Sequence, residues 1–150
     1  PTTPPPSATA VEECPKDPQG RPTMPRGRLH VVGENQAPAL DVELALSNEH
    51  HRHGLMFRPE LTDDQGMLFL FRNQEIRSFW MRNTCLALDM IFIDSQGVIV
   101  GIVEEVPPMN EKSRSVPCPA NAVLEVPAGW SRRYGVRPGQ QIQVQKNNAP

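Results

Sequence analysis

Apolar and polar positions alternate most cleanly at Leu40, Val42, Leu44 and Leu46, with Asp41, Glu43 and Ala45 between them. A period of two is that of a strand with one covered and one wet face. Leu29 and Val31 alternate in the same way, ahead of a turn at Gly33-Glu34-Asn35. Ser47 is placed to N-cap a short helix through His53, which Gly54 can end. Residues 59–66 form a turn-rich loop. Met67 to Phe71 is apolar on both faces, which predicts a central strand covered on both sides. The runs 88–93 and 98–103 flank Asp94-Ser95-Gln96-Gly97 and predict a hairpin. Residues 107–119 hold four prolines and read as a long loop. Strands are also expected at 122–126 and 141–144, with one or two helical turns between Gly129 and Tyr134 stopped by Gly135. The set is about seven short strands and two short helices, without βαβ alternation. It predicts an α+β, β-rich domain: a small, mostly antiparallel sheet or barrel with one or two short helices.

Periodicity is lacking in the first 27 residues, which carry eight of the 17 prolines. Proline removes backbone donors and fixes φ, so this stretch suits neither sheet nor helix. The expected organisation is a flexible Pro-rich tail at 1–27, one globular domain at 28–146 and a disordered C-terminus at 147–150. A Pro/Thr/Ser/Ala tether suits an exported, membrane-tethered or secreted protein; a plain disordered terminus is the other reading. The chain starts at Pro1, so a targeting signal is not visible in it. With 150 residues and a net charge of -2, it fits one domain and offers no nucleic-acid surface. No apolar stretch approaches the ~20 residues that span a bilayer.

Candidate chemistry gathers in residues 54–94, which hold four of the six methionines. Trp80 beside Arg82 makes a platform for sugars, peptides or anionic ligands. Asn83 and Thr84 can bond backbone at a strand end. Arg58 is placed to pair with Asp89 and hold the GLMFR loop against the LDMIF strand. The expected ligand-binding set is Met56, Arg58, Trp80, Met81, Arg82, Asn83 and Asp89. In that arrangement FWMRNT lies beside GLMFR, the 107–119 loop closes over both, Trp80 or Arg82 stands at the rim, and Met56 and Met81 form the floor.

Two other classes compete. A carboxylate pair drawn from Asp89 with Glu104, Glu105 or Glu125 would suit a cell-envelope hydrolase of glycan or peptide. Ser113 or Ser115 could borrow a histidine as base, but no GxSxG motif frames them. His50 and His53 share a helix face and, with Met56, Met67, Met81 or Cys118, suit a soft metal such as copper. The spacing fixes no third ligand, so a solvated polar face is the plainer reading of His50, His51 and His53, and no metal or cofactor is expected. Cys85 and Cys118 are expected to bond, closing a loop of about 33 residues worth roughly 3–4 kcal/mol; two buried free thiols are the alternative. Cys14 is then left unpaired in the tail.

The succession GLMFRPEL, GMLFLF, FWMRNT, LDMIFID, VLEVPAG and YGVRPGQ resembles the bacterial and archaeal family called domain of unknown function 192, over roughly residues 40–145. The motif positions fall on Gly54, Leu55, Met56, Arg58, Gly66, Met67, Phe79, Trp80, Met81, Asn83, Thr84, Asp89 and Gly129. Ala87 stands where the family usually has Pro, His51 and His53 stand where Arg or Gln is common, and Cys85 and Cys118 are additions. The resemblance implies a small β-rich domain, often exported, without an established activity. The resulting expectation is an extracytoplasmic accessory or binding domain for an unknown small ligand, glycan or protein of the cell envelope.

Overall fold

A computed structural model describes residues 7–9 and 13–147. Residues 1–6 and 10–12 of the expected tail, and 148–150 of the expected C-terminus, lie outside the described residues. The elements are β1 (Ser7–Thr9), β2 (Arg26–Val32), β3 (Leu40–Ala45), α1 (Asn48–His53), β4 (Glu60–Thr62), β5 (Gln65–Glu75), β6 (Phe79–Met81), β7 (Leu88–Ile93), β8 (Ile99–Val106), β9 (Asn110–Arg114), β10 (Ala120–Pro127), α2 (Trp130–Tyr134) and β11 (Gln141–Lys146). Among the described residues no helix is long and apolar enough to cross a membrane.

Seven strands form one sheet in the order β11-β2-β3-β5-β10-β7-β8. Its pairs are antiparallel except β3 with β5, which run parallel across the α1–β4 crossover. The sheet curls until its edges touch at one bridge, Val98 to Gln141, backed by Ile99 N–H on the Gln140 carbonyl at 2.8 Å. One bridge does not close a barrel, so the fold is a strongly curled mixed sheet with two short helices. Alternation along β10 shows why both faces are dry. Ala122, Leu124 and Val126 join a core with Trp130, Leu68 and Ile91 on the inner face. Val123 joins Phe69, Met90, Leu55 and Met81 on the outer face, beneath α1 and β6.

Ser47 and Gly54 bound α1 as the sequence predicts: the Ser47 hydroxyl accepts from His50 N–H at 3.1 Å, and Gly54 N–H donates to the His50 carbonyl at 2.9 Å. The central strand, the hairpin around 94–97 and the stop at Gly135 also stand where they are expected.

Two expectations are corrected. The 107–119 loop contains β9, which pairs with β6 as a two-stranded ribbon, Met81 opposite Asn110 and Phe79 opposite Arg114. That antiparallel register sends Cys118 to the Phe79 end of the ribbon, while Cys85 lies past its Met81 end. Cys85 is bonded to Cys14 instead, with a Cα separation of 5.6 Å, and Cys118 is a half-buried free thiol. Of the stretch expected as a tail, Cys14 is tied into the cystine, Met24 is buried in the outer core and β2 starts at Arg26. Proline does not keep this stretch out of the fold: Ser7–Thr9 pairs antiparallel with Glu60–Thr62, Cys14 forms the cystine and Met24 is an apolar knob.

Candidate functional site

The crossover after β3 places α1 and residues 54–57 over the outer face of β5. The FWMRNT segment lies alongside. Phe57 N–H donates to the Asn83 carbonyl at 2.8 Å, and both residues have left-handed φ, 60° and 52°. Left-handed non-glycine residues cost of order 1–3 kcal/mol each and persist where surrounding structure imposes them. Here they join the two motif loops back to back. Between these loops, the α1 face and the segment 17–22 lies a groove of about 690 Å³.

Its base is aromatic. Phe69 and Phe79 meet edge to face with centroids 4.9 Å apart, and the His51 ring lies 4.3 Å from Phe71. Trp80 is 48% exposed at the lip, with the Arg82 guanidinium 5.5 Å from its ring centroid. Arg82 also reaches Glu111 of β9 at 3.5 Å, an exposed contact of small energetic weight. The segment 17–22 forms the remaining wall. Cys14 ties it to Cys85, and Asp17 Oδ2 lies 2.6 Å from His53 Nε2. That ring, then Gln19 N–H, holds the Asp17 carboxyl below its usual range.

Of the expected site residues, Met56, Trp80, Arg82 and Asn83 line the groove. Met81 lies beneath it in the core, 1% exposed. Arg58 and Asp89 lie elsewhere and do not meet. Arg58 Nη1 pairs with Glu43 Oε1 at 2.7 Å beside a second hollow of about 440 Å³, with its Nε and Nη2 buried and unpaired. Asp89 is spent on backbone: Oδ1 accepts from Glu105 N–H at 2.8 Å and Gly129 N–H at 3.0 Å, and Oδ2 from Ser131 N–H at 2.9 Å. It caps α2 from a neighbouring strand, because Gly129 has no side chain to do so. The 107–119 segment flanks FWMRNT through β9 without lining the groove.

The three helix histidines turn to different surroundings. His51 Nε2 meets the Ala45 carbonyl at 2.9 Å, His53 meets Asp17, and His50 Nδ1 is buried without a partner. Among the described residues no three His, Cys, Asp or Glu side chains gather as a metal would need.

The role of Asp63 was not legible in the sequence, and Glu125 entered only as a carboxylate-pair candidate with Asp89. Asp63, fully buried, accepts both Arg133 Nε and Nη2 at 3.0 Å and the Tyr134 hydroxyl at 2.7 Å, pinning α2 to the β4–β5 turn. Glu125 lies at the groove floor, 4% exposed. A lone Glu within the apolar run Val123-Leu124-Glu125-Val126 was the available signal, since a strand covered on both faces leaves a charge nowhere to go.

Comparison with known proteins agrees with this architecture. The chain is similar to a crystal structure from Sinorhizobium meliloti 1021, provisionally named a transcription regulator, at 36% identity and a TM-score of 0.77, over 83% of this chain and 98% of that one. It is also similar to a protein of unknown function from Novosphingobium aromaticivorans DSM 12444, at 34% identity and a TM-score of 0.71, over 77% and 83% of the two chains. No curated protein matches. The family model DUF192, described as an uncharacterized ACR, matches residues 30–144, and the chain belongs to that family.

Proposed function

We propose that this chain is an extracytoplasmic ligand-binding domain whose site is the groove between FWMRNT, GLMFR and the segment 17–22. The observation that carries the reading is the aromatic hollow itself. Phe71 and Phe79 stay half-exposed along it, over the buried ring of Phe69, and Trp80 stands exposed at its lip. Concave sites with apolar walls and a few polar groups are where small molecules bind. The cystine between Cys14 and Cys85 supports an oxidising compartment, where such bonds persist. The provisional regulator name of the Sinorhizobium meliloti chain is not carried over: net charge is -2, and the exposed Arg26, Arg82 and Arg132 each face a carboxylate.

A thermal-shift screen of envelope-derived glycans, peptides and amino acids tests the reading. A compound that binds the groove raises the Tm of the wild type, and raises it less in Trp80→Ala and Arg82→Ala. Equal shifts in all three proteins, or no shift with any compound, would count against the groove as a binding site.

A further inference from the structure

Glu125, 4% exposed, lies at the groove floor, and no side-chain hydrogen bond or ion pair engages it among the described residues. On β10 it stands directly opposite Met67 of β5 and Met90 of β7, so its strand neighbours offer thioethers and no donor. Burial alone pushes its carboxyl up to about 8, with no hydrogen bond or charge contributing. The charged and titratable groups that line the same groove are Asp17 and Arg21 of the wall segment, Glu49, His51, Arg52 and His53 of α1, and Arg82 after β6. The Glu43–Arg58 pair lies one strand beyond Met67. Asp17 is already engaged by His53. Arg21, Arg52 and Arg82 stand against Asp17 and Glu49, and Arg82 is also drawn to Glu111, so the rim carries little net charge.

We propose that the Glu125 carboxyl at the groove floor grips the ligand, and that the ligand is a saccharide unit, neutral or carrying a carboxylate. The inference rests on the binding reading above and names the ligand class and the group that holds it. A protonated carboxyl both donates and accepts, which matches a sugar hydroxyl. A wholly apolar ligand would bury the carboxyl with no partner at all, the costly outcome for any polar group. A cation would meet three arginines and would have to strip the carboxyl of its proton. The apolar face of a sugar ring can lie on Trp80 or Phe79, and the groove falls in the ~300–1,000 Å³ range of small-molecule sites.

Ligand-observed NMR at pH 6 and pH 9 decides the matter, with N-acetylglucosamine, glucuronic acid and tetramethylammonium as probes. The wild type is expected to bind at least one of the two sugars at pH 6. Binding should weaken about tenfold at pH 9, where roughly one carboxyl in ten keeps its proton. Glu125→Gln should bind equally at both pH values. Glu125→Leu, which stays folded because it replaces a buried carboxyl with an apolar group, should lose at least tenfold. Sugar binding indifferent to pH or to Glu125→Leu overturns the proposal. So does preference for tetramethylammonium with affinity rising toward pH 9. If neither sugar binds but another compound binds through Trp80, this inference falls and the binding reading stands. If nothing of any class binds, both fall.

Discussion

Glu125 contributes to stability with an unusual sign. Its carboxyl ionises near 4.5 in the unfolded chain and near 8 in the fold. Between those values the folded state keeps a proton that the unfolded state has lost, so stability falls as pH rises from about 4.5 to 8. The full span is on the order of 4 kcal/mol. Glu125→Gln is expected to leave Tm near its wild-type value at pH 4 and to raise it by about 10 °C at pH 8, read by calorimetry across that range. A Gln variant that keeps the whole slope would assign it to another group. Residues with local jobs were legible in the sequence: Ser47, Gly54 and Gly135 act on backbone within four positions of themselves. Residues with distant partners were not. Nothing in the spacing of Arg58, Glu43 and Asp89 tells that Arg58 turns to Glu43 while Asp89 holds the start of α2.

Elements were legible where apolar period or turn chemistry marked them, as for β3, β5 and the β7–β8 hairpin. The strand β9 was not, because Asn110-Glu111-Lys112-Ser113-Arg114 has no apolar alternation and pairs only with the short, half-exposed β6. Gly101 shows what that ribbon's return asks of its neighbour. A Cβ there would lie 2.7 Å from Val116 Cγ1 and 2.9 Å from Val116 Cβ, so β8 accepts the chain leaving β9 only with a glycine at this point. Gly101→Ala is expected to destabilise by about 1–3 kcal/mol, the cost of overpacking. The double variant Gly101→Ala with Val116→Ala should recover part of it in chemical denaturation. No recovery would show that the strain lies elsewhere.

At the scale of the molecule, a curled sheet buries both of its faces. Whatever covers the outer face decides what the groove becomes. Part of that cover is the segment 17–22, held by the cystine at one side and by Met24 and β2 at the other. On the chain-entropy model, a bond spanning 71 residues is worth roughly 4 kcal/mol. Cys14→Ser is therefore expected to lower Tm by about 10 °C, taking a few degrees per kcal/mol for a domain of this size. Cys118→Ser should change it little, since that thiol bonds nothing. Equal effects would contradict the pairing.

The same bond changes what a cut in the chain can do. Residues 72–76, at the end of β5, are exposed, and the chain between the two half-cystines passes through them. A protease that nicks this stretch opens a covalent ring rather than severing a line. The two pieces then migrate as one band until a reductant is added, and as two bands afterwards. Cleaved protein would keep its N-terminal portion, including the wall at 17–22, fastened beside Cys85, and damage there would pass unnoticed in any assay run without thiols.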